Sequence, residues 1–205
     1  MTQLRAITLW EPWASLIASG VKTIETRSWA TKYRGPLAIH AAARPVREKL
    51  VLGDYEAWPA DTKDRPHPNH PGGRPARLYC NKGPWLSAAT WRPLTFGAVV
   101  ATADLVDCLP MVNIGEETAI TRLEIGTWGG DPNLMICGPQ PDGDDIDPSD
   151  FYERDVTDQL PYGDFTPGRW AWLLENVRPV ALPIPARGRQ QLWTWTDPRV
   201  SASDV

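Results

Sequence analysis

The 21 prolines among the 205 residues limit how much regular secondary structure this chain can form. Each proline fixes φ and lacks a backbone N–H donor, so a proline-rich chain contains much loop. Proline- and glycine-rich stretches dominate two segments, approximately residues 58–93 and 127–165. We therefore expect two long loop insertions, with the regular elements lying outside them.

Cysteine usage and hydropathy place the chain among cytoplasmic globular proteins. The three cysteines, Cys80, Cys108 and Cys137, are odd in number and form no CxxC pair, which argues against a disulfide framework. The N-terminus lacks the pattern of a signal peptide, and no run of about 18 apolar residues predicts a membrane span. The oligomeric state is left open.

Charge is distributed unevenly along the chain, although the net charge is only −4. Residues 22–49 contain seven basic and two acidic residues, which gives +5, whereas residues 142–164 contain nine acids and one arginine, which gives −8. This split predicts a basic face and an acidic loop. The alternative is that both segments are ordinary solvated surface.

The first 42 residues show the clearest periodicity. Alternation predicts a strand over residues 4–9, and a proline at a helix start followed by apolar residues at i, i+3 and i+4 predicts a helix over 12–19. Strands are predicted over 22–28 and 36–42. Further along, we predict helices over 46–57 and 115–125, strands over 96–107 and 168–178, an edge strand over 180–186, and a closing turn in GRQQLWTW.

Short strands with a few helices predict an α+β fold around a small β-barrel. We expect one domain over residues 1–205, with the two insertions enlarging it. The 11 tryptophans supply core packing and also flat surfaces on which a planar ligand can stack.

A polar face on the predicted strand 22–28 is the main site candidate. Side chains alternate along a strand, so Thr23, Glu25 and Arg27 share one face while Ile24 takes the other. Such a face is either a solvated surface carrying a local salt bridge or the lining of a cleft. A carboxylate can accept from an exocyclic amine, and a guanidinium can donate to a phosphate or a base edge.

The run P-W-A…G-x-K-T-I-E-x-R-S-W, followed by Y-R-G-P-L-x-I-H-A, resembles the ASCH domain of the PUA-like superfamily. FGAVVATADLVDC and GRWAWLLENVRPVALPIPARGRQQLWTW extend the resemblance to about half of the chain. It implies a PUA-like β-barrel with a cleft beside the first helix. Members of this kind read modified bases, cleave single-stranded RNA or act as amidohydrolases on acetylated cytidine.

The G-x-K-T-x-E-x-R motif falls on Lys22, Thr23, Glu25 and Arg27, and the resemblance implies that these residues line the cleft. In the amidohydrolase members a nucleophilic threonine stands at the position of Glu25, so this chain departs from that pattern. A carboxylate does not replace a hydroxyl in acyl transfer. Thr23 or Thr26 would then have to serve as the nucleophile.

Three more residues complete the predicted nucleic-acid-binding set. Trp10 lies at the junction of strand and helix, where its indole can stack on a base. Arg34 precedes a tight turn and is a candidate phosphate contact, with plain solvation as the alternative. His40 is included as a polar residue on the third predicted strand, with a buried structural role as the alternative.

The sequence predicts a nucleic-acid or modified-nucleotide binding module that needs no cofactor and no metal. One alternative is a metal-independent hydrolase, a ribonuclease or nucleoside amidohydrolase, in which Lys22 and Glu25 act as acid and base. Another is a protein-interaction module built on the insertions. His67 and His70, with Cys80 further on, resemble a metal-site spacing only loosely.

Overall fold

The computed structural model describes seven segments of the chain, namely residues 3–60, 75–80, 91–111, 134–137, 152–155, 158–166 and 168–199. The elements, in chain order, are β1 (Gln3–Leu9), α1 (Trp13–Ala18), β2 (Ile24–Arg27), β3 (Gly35–Ala41), β4 (Leu50–Leu52), β5 (Tyr55–Trp58), β6 (Arg77–Cys80), β7 (Trp91–Pro93), β8 (Ala98–Pro110), β9 (Leu134–Cys137), β10 (Tyr152–Asp155), a 3-10 turn (Leu160–Tyr162), β11 (Trp170–Pro185) and β12 (Leu192–Thr196). Strands dominate these segments and helices are few, which confirms the α+β class.

Two compact units make up the chain. The first comprises Met1–Lys22, Pro36–Asp104 and Asn176–Val205, and the second comprises Thr23–Gly35 and Leu105–Glu175. The long strands β8 and β11 each contribute residues to both units. The single-domain prediction is not tested by this division, and each unit is described separately below.

In the first unit the hydrogen-bonded strand order is β12, β1, β3, β8 and β11. Strand β1 is antiparallel to β12 and parallel to β3, with Ala6 opposite both Trp193 and Ala38. The alternate side chains of these strands point into one core, as period-2 patterning requires. Its fully or nearly buried members are Ala6, Ala38, Val99, Ile184, Trp193 and Trp195.

Helix α1 follows β1 and confirms the predicted helix over 12–19. Its apolar face consists of Ala14, Leu16 and Ile17, all fully buried. Gly20 ends the helix with a positive φ of 75°, and its N–H donates to the Ile17 carbonyl at 2.8 Å. The predicted strands over 4–9 and 36–42 are likewise present as β1 and β3.

The predicted helix over 46–57 is wrong, because this segment forms the hairpin of β4 and β5. Gly53 adopts a φ of +56°, which suits a two-residue hairpin turn, and Leu52 pairs with Tyr55 across it. Strands β6 and β7 extend the hairpin into a four-stranded antiparallel sheet in the order β4, β5, β6 and β7.

The insertions contain more regular structure than a loop prediction allows. Strands β6 and β7 lie inside the first, while β9, β10 and the 3-10 turn lie inside the second. Strands β9 and β10 pair antiparallel, with Tyr152 opposite Cys137. The predicted helix over 115–125 lies outside the described residues.

In the second unit the strand order is β8, β11 and β2. Strand β2 is antiparallel to β11, with Ile24 opposite Leu173 and Thr26 opposite Ala171. The side chains on the Ile24 side form a core with residues of β8 and the 158–166 segment. Its members are Ile24, Leu109, Met111, Phe165, Ala171 and Leu173, with Leu160 packed against them.

The C-terminal part of the chain differs from its prediction in two ways. The strand predicted over 168–178 and the edge strand predicted over 180–186 are one continuous strand, β11. The GRQQLWTW segment, predicted as a closing turn, contributes strand β12, since Trp193 and Trp195 alternate into the core. The sheets formed by the described strands are open, so the closed barrel stays a prediction. Of the helices in the described residues, none is long and apolar enough to cross a membrane.

Candidate functional site

Strand β2 carries an acid–base pair on the side opposite its core residue Ile24. Arg27 Nε lies 3.1 Å from Glu25 Oε1, and the Glu25 side chain is only 10% exposed. The pair is therefore mostly shielded from water, which makes its attraction stronger than that of a fully exposed ion pair. The local salt bridge that was one alternative for this face is therefore present, in a half-buried setting.

Two tryptophans pack beside this ion pair. Trp172 lies directly opposite Glu25 in the strand register, and its side chain is fully buried. Trp29 contacts it edge-on, with ring centroids 4.7 Å apart, and the Trp172 indole N–H donates to the Trp29 carbonyl at 3.4 Å. The polar face of β2 thus has an aromatic wall, which only the long-range pairing with β11 brings there.

The two threonines of the motif are held by the 158–166 segment. The Thr23 backbone N–H donates to Gln159 Oε1 at 2.8 Å, and the Asp164 N–H donates to Thr26 Oγ1 at 3.1 Å. Gln159 is itself buried, with an exposed fraction of 3%. This glutamine is a structural support that sequence patterning did not indicate, because it lies 136 residues away in the chain.

Arg34 is engaged by its own loop and by strand β8. Its Nη2 lies 2.6 Å from Asp107 Oδ1, and its Nη1 donates to the carbonyls of Thr31 and Tyr33 at 2.9 and 3.0 Å. The Arg34 side chain is 38% exposed. Contact with a phosphate would therefore compete with three acceptors that the guanidinium already has.

In the first unit, Trp10 lines a pocket. The Trp10 side chain is 55% exposed, and the Arg44 guanidinium carbon lies 4.1 Å from the centre of its ring. The pocket has a volume of about 230 Å³ and is lined by Trp10, Glu11, Trp13, Arg44, Pro45, Val46, Arg47, Glu48 and Leu50. An exposed indole with a cation over its ring, beside a cavity, is suited to a flat anionic ligand.

Glu11 is the one buried acid among the residues that line this pocket. Its carboxylate accepts the Ser15 N–H at 3.1 Å and the Ser15 hydroxyl at 2.8 Å, so it satisfies a free donor in the first turn of α1. Burial raises the pKa of Glu11 from 4.5 to about 7, partly offset by the hydrogen bonds from Ser15 and the Thr95 backbone. Glutamate is not a preferred helix cap, so no local pattern pointed to it.

Lys22 and His40 are both buried in the first unit. The Lys22 side chain is fully buried at the end of α1, where its backbone N–H donates to the Leu16 carbonyl at 3.1 Å. His40 Nε2 lies 2.9 Å from the Ala186 carbonyl, and its ring meets Trp193 edge-on at 5.7 Å. Burial lowers the pKa of His40, which favours a neutral ring. These contacts match the alternative expectation for His40, a buried structural role.

The structure thus groups the candidate residues in two sets. Trp10, Lys22 and His40 belong to the first unit, whereas Thr23, Glu25, Arg27 and Arg34 belong to the second. A single cleft that combines both sets stays a prediction.

Comparison with known proteins identifies the family. The ASCH domain family matches residues 7–119, which is more than half of this chain. The chain belongs to the ASCH domain family. The match includes every predicted site residue, from Trp10 to His40, and also Glu11 and Arg44.

Two relatives of this ASCH chain carry the name activating signal cointegrator 1. The human protein is 27% identical over 127 residues, which is 62% of this chain and 17% of that protein. The mouse protein is 28% identical over 111 residues, which is 54% of this chain and 15% of that protein. The chain therefore spans less than a fifth of the length of these relatives.

The described residues were also searched for side chains that could bind a metal ion. Among the described residues, no three His, Cys, Asp or Glu side chains cluster as a metal site would require. His67 and His70 lie outside the described residues. Cys80 is a free thiol and is half-buried, while burial raises the pKa of the Cys108 thiol.

Proposed function

We propose that this ASCH chain binds single-stranded or modified nucleic acid, with the Trp10 pocket receiving one base or nucleotide. The observation that carries the proposal is the exposed Trp10 indole with the Arg44 guanidinium 4.1 Å from its ring centre, both lining a pocket of about 230 Å³. The indole provides a stacking surface for any base, and the guanidinium provides charge for a phosphate.

The acid–base face of β2 supports the same function. Glu25 accepts hydrogen bonds only, while Arg27 donates only, so together they complement a base edge that has both an amine and a carbonyl. Trp172 lies opposite Glu25 in the strand register, and Trp29 packs edge-on against it, so an aromatic wall stands beside this pair.

Binding is tested by fluorescence anisotropy with labelled single-stranded RNA and DNA of mixed sequence, in low and moderate salt. Trp10→Ala should weaken binding by about 5-fold or more, since loss of one stacking contact costs about 1–3 kcal/mol. Leu182→Ala is the matched control, because it removes another highly exposed apolar side chain and should leave affinity unchanged. Absence of wild-type binding to both polymers at low salt refutes the proposal.

A hydrolase is the second candidate, and the observation that favours it is the complete burial of Lys22. A lysine removed from water can act as an acid–base group, and Glu25 is a shielded carboxylate in the same sequence motif. Incubation with single-stranded RNA and with acylated nucleosides tests this role. Turnover that persists in both Lys22→Ala and Glu25→Gln excludes these residues from catalysis.

A protein-interaction module is the third candidate, favoured by the name of the relatives, a signal cointegrator. Size-exclusion chromatography of the pure chain with and without a single-stranded oligonucleotide separates this role from the first. Self-association that the oligonucleotide does not change, together with no anisotropy signal, would favour protein interaction.

A further inference from the structure

The four-stranded sheet of β4 to β7, which runs into the first insertion, has one buried and one outward face. Ala57 is fully buried and Leu78, its register partner, is 4% exposed, so these two mark the inner face. Residues one position along each strand must lie on the other side. Val51, Glu56 and Tyr79 form one row across that outer side, and Trp58 pairs with Arg77 in the next. We call this set the insertion face: Lys49, Val51, Glu56, Trp58, Arg77 and Tyr79.

Cations are placed over an indole on the insertion face, as they are at Trp10. Lys49 Nζ lies 4.6 Å and Arg77 Cζ 6.0 Å from the centre of the Trp58 ring. Glu56 fixes the arrangement, since one of its oxygens accepts the Trp58 indole N–H at 3.0 Å and the other pairs with Lys49 at 2.9 Å. The Lys49 side chain remains 40% exposed, so a phosphate can reach its ammonium group, where it would compete with the Glu56 carboxylate.

One short segment connects the two indole–cation pairs. Residues 44–49 begin at Arg44, which contacts Trp10, and end at Lys49, which contacts Trp58. This segment carries three cations against Glu48, for a net charge of +2, and Arg44 and Arg47 also line the pocket. Five residue steps span at most about 17 Å when fully extended, a distance that a few nucleotides of single strand can cover.

We propose that the insertion face binds the continuation of a single-stranded nucleic acid whose first base occupies the Trp10 pocket. This inference rests on the proposed function and extends it, because it makes the ligand an oligonucleotide rather than a free nucleotide. Flat rings interleaved with cations match a strand that alternates bases with phosphates. An acidic peptide would use the cations but would leave the rings without a stacking partner.

The test compares a mononucleotide with a single-stranded oligomer of about 8 nucleotides, within the site sizes known for single-strand binding folds. Wild-type protein should bind the oligomer at least 10-fold more tightly. Lys49→Gln should lower the slope of log affinity against log salt for the oligomer by about 0.7, the value expected for one lost phosphate contact on a single strand. Mononucleotide affinity should not change.

Trp58→Leu should weaken oligomer binding about 10-fold and leave mononucleotide binding intact. Lys32→Gln is the matched control for Lys49→Gln, since it removes an exposed cation that lies outside the insertion face. It should leave the salt dependence of oligomer binding unchanged. Circular dichroism melting verifies that each variant is folded. If Trp58→Leu does not fold, the salt dependence of Lys49→Gln is the test of the inference.

Each result separates this inference from the proposed function. If wild-type protein binds both ligands equally and the insertion-face variants bind the oligomer as wild type does, the inference is overturned while the proposed function stands. If wild-type protein binds neither ligand, the proposed function fails. If a polyglutamate peptide displaces the oligomer and its own binding is lost in Trp58→Leu, the insertion face is a protein-docking surface and the inference is wrong.

Discussion

Replacing Glu11 by glutamine should change how the stability of the protein depends on pH. Glu11 is only 3% exposed, and burial raises the pKa of its carboxyl group from 4.5 to about 7. The folded state therefore holds a proton that the unfolded state releases at lower pH. The contribution of the protonated Glu11 carboxyl to the free energy of unfolding is complete below pH 4.5 and is lost as pH rises through 7.

The size of this effect follows from the two pKa values. A tenfold difference in proton affinity corresponds to about 1.4 kcal/mol, so a rise from 4.5 to about 7 corresponds to about 3 kcal/mol of folding free energy. Glutamine cannot ionise, and it can still accept the Ser15 N–H with its oxygen while its amide donates to the Ser15 hydroxyl. The Glu11→Gln variant should therefore keep the helix cap and lose the pH dependence.

Urea unfolding followed by tryptophan fluorescence at pH 5 and pH 8.5 measures this directly. The stability of Glu11→Gln relative to wild type should rise by about 2–3 kcal/mol between the two pH values. Glu48→Gln is the matched control, because Glu48 lines the same pocket but is exposed. A constant difference between Glu11→Gln and wild type at the two pH values would refute the buried-carboxyl reasoning.

Two further predictions concern His40 and its neighbour Gly188. A Cβ at Gly188 would lie 2.5 Å from His40 Cε1, so Gly188→Ala should destabilise the protein by about 1–3 kcal/mol in urea unfolding, whereas exposed Arg189→Ala should not. Burial lowers the pKa of His40 below 6.5, so stability should fall as pH drops below that value. The Glu11→Gln variant, which retains His40, should show urea midpoints that fall between pH 8 and pH 5. The double variant Glu11→Gln/His40→Phe should show midpoints that stay level. Midpoints that change equally with pH in the two proteins would contradict this reasoning.

Local periodicity was sufficient for the elements around the first helix. The alternation in LRAITL and the i, i+3, i+4 spacing of α1 each depend on residues close in sequence, and β1 and α1 formed where predicted. The segment 46–57 shows the limit of this approach. Its apolar residues also fit a helical spacing, and only the turn chemistry of Gly53 with Asp54 distinguishes a hairpin.

In the candidate site, too, some features follow from local sequence pattern and others depend on strand pairing between distant residues. Strand alternation was enough to put Glu25 and Arg27 on one face, and they form an ion pair. The aromatic wall from Trp172 depends on the pairing of β2 with β11, about 145 residues away along the chain, which no local pattern encodes. The indole–cation pair at Trp58 likewise depends on a strand pairing, that of β5 with β6.

The second half of β11 illustrates how a strand at a sheet edge can be exposed without pairing with a strand of another molecule. Ala186 donates its N–H to the Gly97 carbonyl beside β8, so the odd-numbered residues before it direct their backbone groups away from β8. Three of these, Pro179, Pro183 and Pro185, have no N–H to offer. No described strand other than β2, which pairs with Trp170–Leu173, lies on this side of β11, so an incoming strand would find carbonyls but almost no donors along its second half. The chain can thus expose Leu182 there, at 80%, and still resist strand-to-strand polymerisation at high concentration.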